Sequence, residues 1–325
     1  MALSNLQVFS DFVYTVYTET VQQQVYLFNE ASDNAIRLVA GDNVGDFDNE
    51  VMFAEIENLV KRRNAYGTAD ATTLNLGQKD IVSVKVGGYA GPVDMSAGQW
   101  DWIQMDPEAA GMALAEQMAK ASLRDKLNTG LGAAYAALVQ NSAVTYDATG
   151  TSDSKASLRN LARASAKFGD SSDRIRAWVM HSVPAFDLLD KAIENSNSLF
   201  TFDSIRVYRD AVGRPIIVTD APQLVTSVTT PAPKTTYHIL GLQGDGLRIE
   251  DNGDFRFNTD SRNGKEDIME TYQAQWSYNV RVRGYAWDTA NGGKSPAAAA
   301  LTTSTNWAKV ATSDKEVAGV VLEVL

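Results

Sequence analysis

Cysteine is absent from the 325 residues, and histidine occurs only twice, at His181 and His238. The first absence excludes disulfides, zinc–thiolate centres and cysteine nucleophiles. The second leaves little imidazole for general-base or ligand chemistry. Basic residues are also scarce: 29 Lys and Arg face 40 Asp and Glu, giving a formal charge of −11 and a pI near 4.7. Tight binding to a phosphate backbone rests on clustered cations, so this balance argues against a dedicated nucleic-acid binder. A high charge of one sign does keep a self-associating protein soluble before it assembles. No run approaches the ~18 apolar residues of a membrane span. Met1-Ala2-Leu3-Ser4-Asn5 carries neither the basic patch nor the apolar run of an export signal. No membrane partner and no export are expected.

Patterns that carry chemistry are equally thin. GLQGDG (241–246) lacks the Lys and Ser/Thr of a phosphate-binding loop and the spacing of a dinucleotide fingerprint. The acidic stretch GDNVGDFDNE (41–50) fails as a calcium loop. Counted from Asp46, Asp48 and Glu50 hold the third and fifth places, but Val51 stands where glycine is required. A solvated turn is expected there. His181-Ser182 with Asp187 invites a Ser-His-Asp reading, yet adjacent residues leaving a strand point apart. Ser182, ahead of Val183-Pro184, reads better as a helix N-cap. Asp220 follows the IIVT run as many active-site carboxylates follow strands, but it also suits a turn cap before Ala221-Pro222. His238 lies in an apolar run and reads as a packed residue. The expectation is no catalytic residue, no cofactor and no metal.

What the chain does have is apolar and extended material. Hydrophobic residues make up 44%, enough for a sizeable core in one large or two modest domains. Within 1–40, Val8, Phe9, Phe12, Val13, Tyr14, Val16 and Tyr17 crowd together, followed by Val25, Tyr26, Leu27 and Phe28. Such a segment must be covered by the chain's own body or by a neighbour. Val51, Ile56, Leu59 and Val60 predict a helix over 51–63, with Lys61, Arg62 and Arg63 in its last turn. Over 66–105, Thr72, Leu74 and Leu76 alternate, as do Ile81, Ser83 and Lys85. That texture predicts a long two-stranded excursion with Lys79 and Lys85 along it and Tyr89, Trp100 and Trp102 near its return. A lone hairpin is marginal in water, so a partner surface is implied.

Asp106-Pro107-Glu108 is the clearest local signal: an N-cap acceptor, a first-turn proline and a carboxylate at the positive helix end. A helix to Leu138 follows, with Leu123, Leu127, Leu131, Tyr135 and Leu138 along one stripe and Gly130 and Gly132 as weak spots. The polar run 145–153 suggests a boundary. A compact α/β pattern comes next, then a long strand over 272–287 and a closing apolar run through Val324.

The order of these parts resembles the Hong Kong 97-type fold of tailed-bacteriophage major capsid proteins. AWVMHSVPAFDLL (177–189), GRPIIVTDAP (213–222), GYAWD (284–288), SPAAAAL (295–301) and Asn306-Trp307 resemble phrases of that family in the expected order. The resemblance implies an α+β fold with an N-terminal arm (1–40), a connecting helix region (41–65) and an extended loop (66–105). A spine helix of the peripheral domain (106–145), a mainly axial α/β domain (146–270) and a return strand with C-terminal segment (271–325) complete it. It implies a shell protein, not an enzyme, whose main partner is itself, in hexamers and pentamers of an icosahedral head. Such a head encloses double-stranded DNA with weak non-specific contact. Scaffolding, portal and cement proteins are further partner classes, with assembly in the host bacterial cytoplasm. The arm and the loop would meet neighbouring subunits, which makes Phe9, Phe12, Tyr14, Tyr17, Leu74, Leu76, Lys79, Lys85, Tyr89, Trp100 and Trp102 the interface candidates. Some relatives join a loop lysine to a neighbour's asparagine, for which Lys79 and Lys85 lie in the right region. An encapsulin-like shell, another virion protein, or an acidic α/β hydrolase are the alternatives.

Overall fold

The computed structural model describes residues 2–53, 60–68, 70–71, 73–96, 98, 105–190, 198–202, 205–209, 213–228, 233–264, 266 and 268–325. Two long helices, α1 (Ala2–Ala31) and α2 (Pro107–Val139), lie along each other. Helix α2 begins as its sequence dictates: the Asp106 carboxylate accepts the Ala109 N–H at 3.1 Å, with proline in the first turn. Its 33 residues span about 50 Å. Leu123, Leu127, Leu131 and Leu138 are all buried, and Tyr135 is half-buried. Gly130 and Gly132, expected to be weak spots, are points of close approach. A Cβ on Gly130 would lie 2.7 Å from Ile249 Cδ1, and one on Gly132 would lie 2.8 Å from Thr302 Cγ2.

The strands, in chain order, begin with β1 (Ile36–Ala40), β2 (Phe47–Phe53), β3 (Gln78–Met95), β4 (Thr145–Asp147) and β5 (Ile175–Met180). Next come β6 (Ser198–Phe202), β7 (Ile205–Arg209), β8 (Pro215–Val218), β9 (Val225–Val228) and β10 (Lys234–Gln243). The last are β11 (Leu247–Asp251), β12 (Arg256–Arg262), β13 (Met269–Val282), β14 (Tyr285–Trp287), β15 (Trp307–Lys309) and β16 (Gly319–Val324). Short helices α3 (Leu158–Ser165), α4 (Ser182–Asp190) and α5 (Ala298–Leu301) complete the inventory used below.

Two large sheets share the work. The first runs β1-β11-β13-β3-β2, with β12 also on β13; the second runs β4-β16-β10-β5-β8-β7-β6, with β9 also on β10. Helix α2 touches β11 and β13 of the first and β16 of the second, so it joins both. The strands meet at the tight turn Gly244–Gly246, which leads from β10 into β11. Asp245 adopts φ 57° there and donates its N–H to Asn34 O at 2.8 Å. Strand β16 is inserted between β4 and β10, and Val320, Val321, Leu322 and Val324 are fully buried. A strand covered on both faces reads as the continuous apolar run seen here.

Several expectations change. The described parts of 51–63 are not helical: 51–53 end β2, which pairs with β3 from Phe47↔Val84 to Phe53↔Gln78, and 60–64 are irregular. Residues 54–59 lie outside the described residues. Among the described residues of 66–105 the only strand is β3, so no second strand of a hairpin is found there. That strand is held between β2 and β13, and the described residues among 60–77 are not strand. The apolar N-terminal segment is a helix covered by its own subunit, not an extended arm: Phe9, Val13, Tyr17 and Phe28 are buried. The expected block 146–270 divides, because β11 and β12 belong to the first sheet while the C-terminal β16 and the edge strand β4 belong to the second. The strand expected over 272–287 breaks at Gly284 (φ 78°), after which β14 pairs with β15.

Candidate assembly surfaces

The loop between β2 and β3 is exposed at every described position from 60 to 78. Val60 and Tyr66 are 90% and 96% exposed, and Phe53, Leu74 and Leu76 are exposed as well. Lys61, Arg62 and Arg63 make no ion pair among the described residues. Of the lysines singled out from sequence, Lys79 donates to Val310 O at 2.7 Å and lies 3.4 Å from Thr312 Oγ1. Lys85 donates to Asn43 O at 3.2 Å and lies 3.9 Å from Asp254. Both ammonium groups therefore tie the first sheet to adjoining loops of the same chain. Trp100 and Trp102 lie outside the described residues.

Tyr89, 71% exposed, follows Gly87-Gly88 on β3. A Cβ on Gly88 would sit 2.6 Å from Trp276 Nε1, so the indole lies directly across the glycine. A cleft of about 340 Å³ opens beside them, lined by Tyr89, Asp125, Thr129, Trp276 and Ala297. Asp125 accepts the Tyr278 hydroxyl at 3.1 Å, and partial withdrawal from water raises its pKa.

Helix α1 presents two faces. Phe9 is in the core. Tyr17 stacks on Phe255 at 4.0 Å and donates to Ser122 Oγ at 3.0 Å. Burial pushes the Tyr17 phenol well above its ordinary value. Phe12 is half-buried, Tyr14 is exposed, and neither Phe9 nor Tyr17 is available at the surface. Val8, Tyr26 and Leu27, part of the apolar segment but not among the interface candidates, are exposed. For Val8 and Tyr26 the signal was the helical period itself, which sends them away from Phe9, Val13 and Tyr17, whereas Leu27 shares the angle of Phe9 five turns on and is exposed all the same.

Two arginines of the first sheet hold nearby carboxylates. Arg281, its side chain only 10% exposed, meets Asp48 at 2.7 Å and also binds Glu50, while Arg248 binds Asp245 and lies 3.7 Å from Glu250. These contacts fasten β2, β11 and β13.

The histidines are structural. His181 Nδ1 accepts the Val183 N–H at 3.3 Å, and the Asp220 carboxylate accepts the Ser182 N–H at 3.3 Å. His181, not Ser182, thus caps α4. Its Nε2 faces Asp220 at 3.4 Å, so the ring is held between helix start and strand end. Ser182 Oγ lies 3.4 Å from Nδ1, the nitrogen that also accepts from the backbone. His238 is buried, 2.8 Å from Thr226 Oγ1 and stacked on Tyr135 at 4.1 Å. Among the described residues no His, Asp and Glu cluster suits a metal, and no helix is long and apolar enough to cross a membrane.

No curated protein sequence matches the chain. Its architecture is similar to the capsid asymmetric unit of cyanophage Pam1, with TM-score 0.52 and 9% identity over 76% of this chain and 84% of that one. A weaker likeness is to the capsid of Ralstonia phage GP4, with TM-score 0.49 and 8% identity over 90% of this chain and 87% of that one. The fold is α+β and of the Hong Kong 97 type. The family model described as Gp13-like, major capsid protein 13-like, matches residues 5–321. The chain therefore belongs to the major capsid protein 13-like family and is a structural protein of the bacteriophage virion.

Proposed function

We propose that copies of this chain associate as hexamers and pentamers that close an icosahedral head around double-stranded DNA. The observation carrying this reading is the end of β2 and the loop that follows it, where Phe53 and then Val60, Tyr66, Leu74 and Leu76 stand in water on one subunit. Several large apolar side chains exposed along one segment suit a surface meant for a partner. Leu74, Leu76 and Tyr89 are then interface residues, whereas Phe9 and Tyr17 act by anchoring α1. With 40 acidic against 29 basic residues, contact with packaged DNA is weak and local. Assembly takes place in the host bacterial cytoplasm, with scaffolding, portal and cement proteins as auxiliary partners.

The test is negative-stain microscopy of purified protein alongside a variant in which 60–77 are replaced by a short Gly-Ser linker. Deleting 70–90 would be unsuitable, because it removes Gln78 to Ala90, most of β3, from the first sheet. Wild type should form closed shells, hexamers or tubes. The linker variant should keep its circular dichroism and remain a discrete particle. Normal shells from the linker variant, or a wild type that never assembles at high concentration, would reject the reading.

A further inference from the structure

Lys61, Arg62 and Arg63 are adjacent, exposed and without an ion pair among the described residues, in a chain of net charge −11. Their setting narrows the partner. Val60 and Tyr66 flank them and Leu74 and Leu76 lie further along, all exposed. A groove that tracks phosphates needs cations but not exposed leucine and valine. Cations interleaved with large apolar side chains suit a protein surface, whose contacts are apolar at the centre and polar at the rim.

Helix α1 offers the complement. It contains three acids, Asp11, Glu19 and Glu30, and no base. At about 100° per residue, the three acids fall within roughly 100° of arc, together with Val8 and Tyr26. This arc lies roughly opposite the buried face of Phe9, Val13, Tyr17 and Phe28. All five outer residues are exposed, and the three acids make no ion pair among the described residues. Having buried one face on its own subunit, α1 keeps a second that is acidic and apolar, matching a loop that is basic and apolar.

We propose that the 60–67 loop of one copy docks, through Lys61, Arg62 and Arg63, on the acidic outer face of α1 in a second copy. The inference rests on the shell reading and supplies its contact. Loop and helix are different surfaces, so the contact is head-to-tail, the kind that closes rings.

Four full-length proteins decide it: wild type, K61E/R62E/R63E, D11K/E19K/E30K, and all six changes together. Sedimentation velocity at about 0.1 M salt, where the Debye length is about 10 Å, measures the concentration needed for assembly. Each triple reversal should raise that concentration roughly tenfold, and the sixfold swap should restore most of the loss. At about 1 M salt, with screening over about 3 Å, wild type and K61E/R62E/R63E should converge. D11N/E19Q/E30Q guards against a helix unseated by reversal: it should melt like wild type yet assemble less readily. If wild type does not assemble, the shell reading fails and the docking with it. If wild type assembles and K61E/R62E/R63E does so equally, or the sixfold swap gives no rescue, the docking alone is wrong. Normal assembly by D11N/E19Q/E30Q also counts against it. Retention of double-stranded DNA in a gel shift that K61E/R62E/R63E abolishes, with assembly unchanged, would assign the loop to nucleic acid and overturn the proposal.

Discussion

Asp314 shows how single side chains fasten the C-terminal segment. It accepts from Lys309 Nζ at 2.5 Å and from Asn141 Nδ2 at 2.7 Å, linking the loop after β15 to the end of α2. The Lys309 ammonium, then the asparagine amide, hold its carboxyl below the usual carboxylate range. A folded-state pKa below the unfolded value of about 3.9 adds stability above that pH and loses it as pH falls through the folded value. Asp314→Asn should therefore cost up to about 1 kcal/mol at pH 7, because the pair is partly exposed. The gap from wild type should shrink toward zero on acidification below pH ~3. Urea titrations at several pH values read this directly, and a gap that stays constant into acid would show that the carboxylate charge is not the cause. Gly88 works by a different means: its missing side chain makes room for Trp276, a cross-strand fit that no pattern within β3 reveals.

At the scale of elements, what could be read from sequence depends on how local the cause is. Helix α2 was legible because its start and buried stripe are set by neighbours within four residues: Asp106, Pro107 and the leucines from Leu123 to Leu138. Strand β2 was not, because Val51 fits a helical period with Ile56, Leu59 and Val60 while FDNEVMF is held by pairing with β3. Likewise, nothing near β3 announces that Val84 will face Val280 of β13. The outer face of α1 was missed because the crowding of aromatics hid the period that divides Phe9 and Tyr17 from Val8 and Tyr26. Strand β16 offers a direct test of an element that was legible as apolar but not placed. Val321 pairs with Leu240 on one side and Thr145 on the other, and is fully buried. Val321→Asp would bury a carboxylate without a partner and should destabilise the fold by more than about 3 kcal/mol, with loss of soluble protein. A soluble variant melting within a few degrees of wild type would mean that β16 is not integral to the second sheet.

The whole molecule is organised around α2, and one turn of that helix shows how. Gly130 lets Ile249 of the first sheet approach, while Gly132 meets Gln223, in the turn that follows β8 of the second. Leu131, between them, is 2% exposed. If the β2–β3 loop carries subunit contacts as proposed, α2, which touches both sheets, connects it to the second sheet. The consequence is a single cooperative unit in place of two independent domains. Leu131→Ala should cost about 2–5 kcal/mol, the range for emptying a buried leucine site. Native-state hydrogen exchange should then show the amides of β11 and β13 and those of β10 and β16 losing protection by the same free energy, because opening either sheet frees the same helix. Faster exchange confined to β11 and β13, with β10 and β16 unchanged, would mean that the sheets unfold separately and that α2 belongs energetically to the first alone. The expected pattern needs no assembly, so it can be measured on the linker variant lacking 60–77, which the proposed function expects to stay unassembled.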